Sequence, residues 1–182
     1  MQIRQATLAD AQAIAQLEQS QLEAELDPSQ RDGVMTGQSF SLGDIQTLIK
    51  AHWIVLAEQD ETIIGYVIAG KWSFFESWPI YRRLLGRMSE LEFDGRSLNK
   101  QNCCQYGPIW ISPAHRGQGL FEAMVTELKL AVKQLYPYML TFISEENERS
   151  FAAHTNKASM QVVDFFCFDG RDYYLLATAN EG

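Results

Sequence analysis

The sequence predicts a mixed α/β domain. Segments rich in β-forming residues alternate with segments of helical period, and an Asp169-Gly170 turn joins the last two strands. A glycine-bearing turn also leads straight from a buried strand into an amphipathic helix. In chain order the elements run β-α-α-β-β-helix-β-α-β-α-β-β, read as one domain spanning all 182 residues. That length is enough for a sizeable core.

Ile3 to Ala6 opens the chain as a short strand, and Thr7-Leu-Ala-Asp10 then resembles a capping box. Ile14, Leu17, Leu22 and Leu26 form a drifting apolar stripe on a first helix that ends before Pro28. Ser29 to Ser41 is polar, holds Gly33 and Gly37, and reads as a loop. Ser41 can cap a second helix carrying Ile45, Leu48 and Ile49. Trp53–Ala57 and Thr62–Ala69 follow as a hairpin, and Gly65 marks a bulge or a close backbone contact. Trp72 to Tyr81 is the most aromatic segment. Pro79 suits the first position of a helix through Tyr81, Leu84, Leu85 and Met88, which either packs on the sheet or walls a substrate pocket. The Glu92–Arg96 stretch reads as a loop. Cys103 to Ser112 is the central strand, and Leu120, Met124, Leu128, Ala131 and Leu135 recur at helical steps. Tyr138–Ile143 is the next strand, Ser144 or Asn147 caps a helix to Lys157, and Met160–Phe168 with Tyr173–Ala177 closes the chain as a hairpin.

A formal net charge of −8 argues against a general nucleic-acid binder, which would carry a basic face. The 46% hydrophobic and 12% aromatic content fits a globular chain and not a disordered one. Cys103, Cys104 and Cys167 are odd in number and lack C-x-x-C spacing, so neither a disulfide framework nor a metal site is expected. No segment approaches about 18 consecutive apolar residues, and the amino terminus has no basic-then-apolar leader pattern. No membrane partner is expected, and a cytoplasmic address is the default.

The chain is organised around Gly107–Phe121. Ile109, Trp110 and Ile111 end a buried strand, Pro113 stops it, and Arg116-Gly117-Gln118-Gly119 leads into the helix at Leu120. Glycines let the backbone turn and expose its N–H groups, while the helix start and Arg116 favour an anion. A P-loop would need Lys and Ser or Thr after the last glycine, where Leu120 and Phe121 stand. A dinucleotide fingerprint would need a third glycine where Glu122 stands.

The remaining pattern resembles the GNAT superfamily of acetyl-CoA-dependent N-acetyltransferases. Its Arg/Gln-x-x-Gly-x-Gly/Ala signature is matched by Arg116 to Phe121 at all but the last place, where Phe121 stands for a small residue. Asn147-Glu-Arg-Ser-Phe-Ala-Ala-His154 resembles the family's Asn-x-x-(Ala/Ser)-x-x-x-(Tyr/His) segment, and Ser159 occupies the place of its usual glycine after one extra residue.

This resemblance spans nearly the whole chain. It implies a mixed, mostly antiparallel sheet of about seven strands, flanked by four to five helices and splayed between strands four and five, where the pantetheine lies. It also implies direct transfer of an acetyl group from acetyl-CoA to a primary amine of a small molecule. By the same resemblance the backbone at Ile109 and Ile111 meets the pantetheine and thioester, while Arg116, Gly117, Gln118, Gly119, Leu120 and Phe121 hold the pyrophosphate. Asn147 bonds the pantetheine arm or simply caps its helix.

His154 falls where the family commonly has a tyrosine acid, and an imidazole can protonate a thiolate; a structural histidine is the competing reading. Glu145 or Glu146, Tyr106, or a water chain are the candidates for the base. His115, inside the loop, suits phosphate or solvent. The rival reading is a catalytically inactive GNAT-like module that binds acyl-CoA or protein. The partner expected is a small amine, and a homodimer is left open.

Overall fold

Asp10 ties the first strand to the first helix in the computed structural model, which describes residues 1–25 and 40–181. β1 (Gln2–Gln5) leads through a 3-10 turn, Leu8–Asp10, into α1 (Ala11–Glu25). The Asp10 carboxylate accepts the Thr7 N–H at 2.7 Å, closing the expected capping box, and takes the Arg4 guanidinium at 2.8 and 2.9 Å. That guanidinium, which also reaches Glu58 at 3.0 Å, holds the Asp10 carboxyl below its ordinary range. The expected end of the first helix before Pro28 and most of the Ser29–Ser41 loop lie outside the described residues. Ser41 caps α2 (Leu42–Ala51) as expected: its Oγ accepts the Asp44 N–H at 3.1 Å, and Asp44 accepts the Ser41 N–H at 2.9 Å.

β2 (Trp53–Gln59) and β3 (Thr62–Gly70) are turned by Asp60 and Glu61, whose φ of 52° and 63° suit a type I′ turn. A single helical turn, α3 (Trp72–Phe75), precedes α4 (Pro79–Arg87), with Pro79 at the helix start. The expected Glu92–Arg96 loop is instead a small hairpin, β4 (Glu92–Phe93) and β5 (Arg96–Ser97), turned by Asp94 and Gly95 at φ 54° and 74°. Strands of two residues have no period to read, although the Asp-Gly turn signal was present.

The remaining elements are β6 (Cys103–Ile111), α5 (Leu120–Val132), β7 (Tyr138–Ser144), α6 (Glu148–Lys157), β8 (Gln161–Phe168) and β9 (Arg171–Ala179). Asp169 and Gly170, at φ 52° and 77°, turn the closing hairpin. Seven strands form one mixed sheet in the order β1-β2-β3-β6-β7-β9-β8. β6 and β7 are parallel, and their pairing runs from Cys103↔Tyr138 to Gln105↔Leu140. β7 continues alongside antiparallel β9 as far as Ser144↔Tyr173.

The chain forms two compact units, Met1–Ile68 with Pro108–Leu128, and Ala69–Gly107 with Lys129–Gly182. In the first, Ile14, Ile45, Leu48, Val55 and Leu56 are fully buried. Gly65 makes a close contact: a Cβ there would stand 3.1 Å from the Trp110 carbonyl oxygen and 3.2 Å from Met124 Cε. In the second, the aromatic segment packs largely into the core. Trp72 donates its indole N–H to the Cys103 carbonyl at 3.0 Å, and the Phe75 and Tyr81 rings lie 4.5 Å apart. Cys103 and Cys104 are buried fillers.

The end of α6 is closed by Ser159, at φ 56°, and by the Met160 N–H, which returns to the His154 carbonyl at 3.1 Å. Lys129 Nζ donates to the Ala158 carbonyl and to Thr178 Oγ1, each at 2.9 Å. β8 is an edge strand with an irregularity between Val162 and Asp164. Arg87 pairs with the Asp164 carboxylate and donates to the Phe165 carbonyl at 2.9 Å.

Candidate active site

The glycine turn has the geometry its composition implies. After the 3-10 turn Pro113–His115, Gly117 and Gly119 adopt φ of 78° and 79° around Gln118. Left-handed conformation alternating with ordinary conformation aims successive N–H groups to one side, a concavity suited to an anion. A Cβ at either glycine would meet nothing within 4 Å among the described residues, so the backbone conformation is what calls for glycine there. Among the described residues the N–H groups of Gly117, Gln118, Gly119 and Leu120 meet no acceptor; the first bond of α5 runs from Ala123 to the Gly119 carbonyl at 3.2 Å. Arg116 and Gln118 are exposed, Leu120 is buried and Phe121 is half-buried. His115 Nδ1 is buried without a partner among the described residues.

Ile109, Trp110 and Ile111, just upstream, are half-buried. Ser112 donates its N–H to the Ile64 carbonyl at 2.8 Å. Strand alternation therefore turns the Ile111 and Ile109 N–H groups away from β3. The Trp110 ring lies 5.8 Å from the Tyr66 ring at 34°. Tyr66 is fully buried, and its hydroxyl donates to Glu18 Oε1 of α1 while accepting Gln21 Nε2–H at 2.8 Å. Burial pushes the Glu18 carboxyl from its ordinary 4.5 up to about 7, against the opposing pull of the Tyr66 bond. The sequence reading passed over Glu18. A usable signal was its spacing: it lies four residues after Ile14, which puts a carboxylate on the inward face of α1.

In the other unit the structure brings two of the site candidates together. His154 Nε2 lies 3.0 Å from the Tyr106 hydroxyl, and His154 Nδ1 lies 2.7 Å from the Ser150 carbonyl. A carbonyl only accepts, so the imidazole proton sits on Nδ1, and Nε2 accepts the phenol's proton. His154 is 3% exposed, and burial depresses it from 6.5 to about 4, leaving a neutral ring. Burial also pushes the Tyr106 phenol well up. Asn147 caps α6 through Oδ1, which accepts the Ser150 N–H at 3.2 Å. Glu145 and Glu146 are exposed in the turn after β7, and the Glu145 side chain makes no bond to the Tyr106–His154 pair. Gln105, fully buried where the parallel pairing stops, donates Nε2–H to the Tyr106 carbonyl at 2.6 Å. Its Oε1 is without a partner among the described residues.

A strand, an N–H-lined glycine turn and a helix in this order form an anion-binding junction, and the chain's likeness to known proteins says to which class it belongs. The model of the acetyltransferase (GNAT) family matches residues 13–158, and the chain belongs to that family as an N-acetyltransferase. No curated protein sequence matches it.

Among solved structures, yncA of Salmonella typhimurium, solved with its cofactor acetyl-CoA, is 17% identical. That match covers 99% of this chain and 94% of that one at a TM-score of 0.66. The ribosomal-protein-alanine N-acetyltransferase of Brucella melitensis is 16% identical, covering 98% and 99% at 0.66. An N-acetyltransferase of Staphylococcus aureus Mu50 is 18% identical, covering 99% and 98% at 0.65. At these identities the likeness is one of fold. Among the described residues no helix is long and apolar enough to cross a membrane.

Proposed function

We propose that the chain works as one acyltransferase domain that moves the acetyl group of acetyl-CoA directly onto the primary amine of a small molecule. The observation that carries this reading is the row of N–H groups from Gly117 to Leu120, which meet no acceptor among the described residues at the start of α5. A pyrophosphate fits that row: the helix start, the exposed Arg116 guanidinium and the His115 Nδ1, without a partner among the described residues, all favour an anion. Phe121 contributes its backbone at the same helix start.

Bound acetyl-CoA supplies the thioester, whose carbon–sulfur bond breaks as the carbon–nitrogen bond to the amine forms. The Ile111 N–H is the donor for the thioester carbonyl, a contact worth about 3 kcal/mol where such a donor faces developing charge. The Ile109 backbone, two residues earlier on the same side of the strand, meets the pantetheine. Asn147 uses Oδ1 for its cap and keeps Nδ2 for the pantetheine arm. The hydrogen-bonded Tyr106–His154 pair is the candidate acid for the departing sulfur. The transferable proton is the phenol's, since the neutral ring accepts at Nε2, and a proton returned from the one the amine releases leaves the pair neutral again. Glu145, exposed after β7, is one of the candidates the sequence offers for the amine's base.

Calorimetry with acetyl-CoA tests the reading. Saturable binding is expected, weakened by Gly119→Asp, which places charge and bulk against the phosphates. The absence of heat from the wild type would sink the proposal. A thiol-release assay over primary amines then tests transfer, since only an enzyme frees CoA on addition of amine.

A further inference from the structure

We infer that Glu18 of α1, set against the Tyr66 phenol whose ring lies beside the Trp110 indole, is the base that takes the proton of the acceptor amine. This deepens the acetyl-transfer reading and rests on it.

The placement supports it first. Tyr66 and Trp110 share the face of the sheet that meets α1, whereas Gly65 faces Met124 on the other side. Trp110 directly precedes Ile111, whose N–H is the proposed thioester donor. Glu18 thus belongs to the group of side chains next to the reacting carbonyl, on the face opposite α5.

The second support is the division of labour between its oxygens. Oε1 accepts the Tyr66 hydroxyl, and the Gln21 amide donates to that same hydroxyl at 2.8 Å, which commits the phenol's proton to Glu18. Oε2 meets no donor among the described residues, and it is not among the buried polar atoms without partners. One oxygen is therefore clamped, while the other is left open on a half-buried carboxylate. The group that titrates against Glu18 is Tyr66 from β3, and no charged side chain of the described residues acts on it.

The third support is chemical. A primary amine arrives as an ammonium ion at neutral pH. In a water-poor setting an ammonium beside a carboxylate lowers the cost of both charges by passing a proton. The ammonium N–H bond breaks and an O–H bond forms at Oε2, leaving a neutral amine with its lone pair free and a neutral carboxyl still held by Tyr66. Aromatic faces such as Trp110 also suit a cationic amine before the transfer. The elevated titration point of Glu18, about 7, fits a base working near neutrality. Glu145, exposed and without a side-chain partner among the described residues, has none of this construction.

The test uses the full chain with acetyl-CoA and tyramine, spermidine, phenethylamine and lysine as probe amines, reading thiol release and, separately, acetyl-CoA binding by calorimetry. With the best acceptor, Glu18→Gln is expected to lower kcat/KM by about a hundredfold or more, with acetyl-CoA affinity unchanged. Gln keeps an oxygen for the Tyr66 hydroxyl and does not ionise, so a urea midpoint no lower than the wild type's is expected at neutral pH.

Tyr66→Phe removes a bond that favours the carboxylate, so the acid limb of the pH–rate profile should move to higher pH. A merely structural Glu18 would not produce that shift. Wild-type kcat/KM in Glu18→Gln overturns the proposal. So does an unmoved limb in Tyr66→Phe, a loss confined to Glu145→Gln, or a wild type that binds acetyl-CoA yet releases no thiol with any amine. A wild type that binds no acetyl-CoA overturns the acetyl-transfer reading itself, and this inference with it.

Discussion

Tyr106 and His154 share one hydrogen bond in which the phenol donates and the imidazole accepts, 3.0 Å apart with the rings edge to face at 84°. The Ser150 carbonyl fixes this direction by holding the neutral imidazole's one N–H at Nδ1. Removing the hydroxyl leaves Nε2 buried without a donor. Tyr106→Phe should therefore cost about 1–3 kcal/mol in urea unfolding, more than loss of an exposed hydroxyl would. A cost near zero would mean that water replaces the phenol.

Glu18 and His154 drive the pH dependence of stability in opposite directions. Between pH 4.5 and about 7 the native state keeps a proton on Glu18 that the unfolded chain has lost, so stability present below 4.5 is lost as pH rises through 7. Between about pH 4 and 6.5 the unfolded chain carries a proton on His154 that the native ring refuses, so stability present above 6.5 is lost as pH falls through 4. The two slopes oppose each other where the windows overlap. Urea midpoints across pH 4–8 should show Glu18→Gln gaining on the wild type as pH rises. His154→Gln should lose the wild type's dependence at the acid end.

Gly119 and Gly65 are glycines for unrelated reasons, and alanine should separate them. At Gly119 the cost is the left-handed backbone, about 1–2 kcal/mol, with no clash to relieve. At Gly65 the cost is crowding, about 1–3 kcal/mol. Met124→Ala should recover only part of it, because the closer neighbour is the Trp110 carbonyl in the backbone. Full recovery in the double variant would show that β3 and β6 can separate.

Ser159→Gly should stabilise the fold by about 1 kcal/mol, because a serine now sits at φ 56°, a conformation that L side chains adopt only at a cost. A thermal midpoint below that of the wild type would mean that the serine side chain itself contributes there.

Much of this was legible in the chain before folding. Gly117 and Gly119 announced a turn because few other residues tolerate such φ values, and the long strands announced themselves through runs of β-branched and aromatic residues. Asn147 and Ser41 were readable as caps for the same local reason. What local pattern does not carry is partnership across distance. Tyr106 and His154 stand 48 residues apart, and no spacing rule pairs them. Glu18 was hidden because a helix face is traced by its apolar members, which leaves a carboxylate on that face uncounted. Its meaning appears only once Tyr66 arrives from β3.

The end of the sheet at β8 has a consequence for how the protein keeps to itself. A bare outer strand is a template for another chain's backbone and a starting point for aggregation. Here the irregularity at Val162–Asp164 interrupts the regular ladder, and Arg87 occupies the Phe165 carbonyl while its charge is held by Asp164. A second chain adding a strand there would have to release that guanidinium and re-register the ladder, so Arg87 and the irregularity together oppose strand addition at this border.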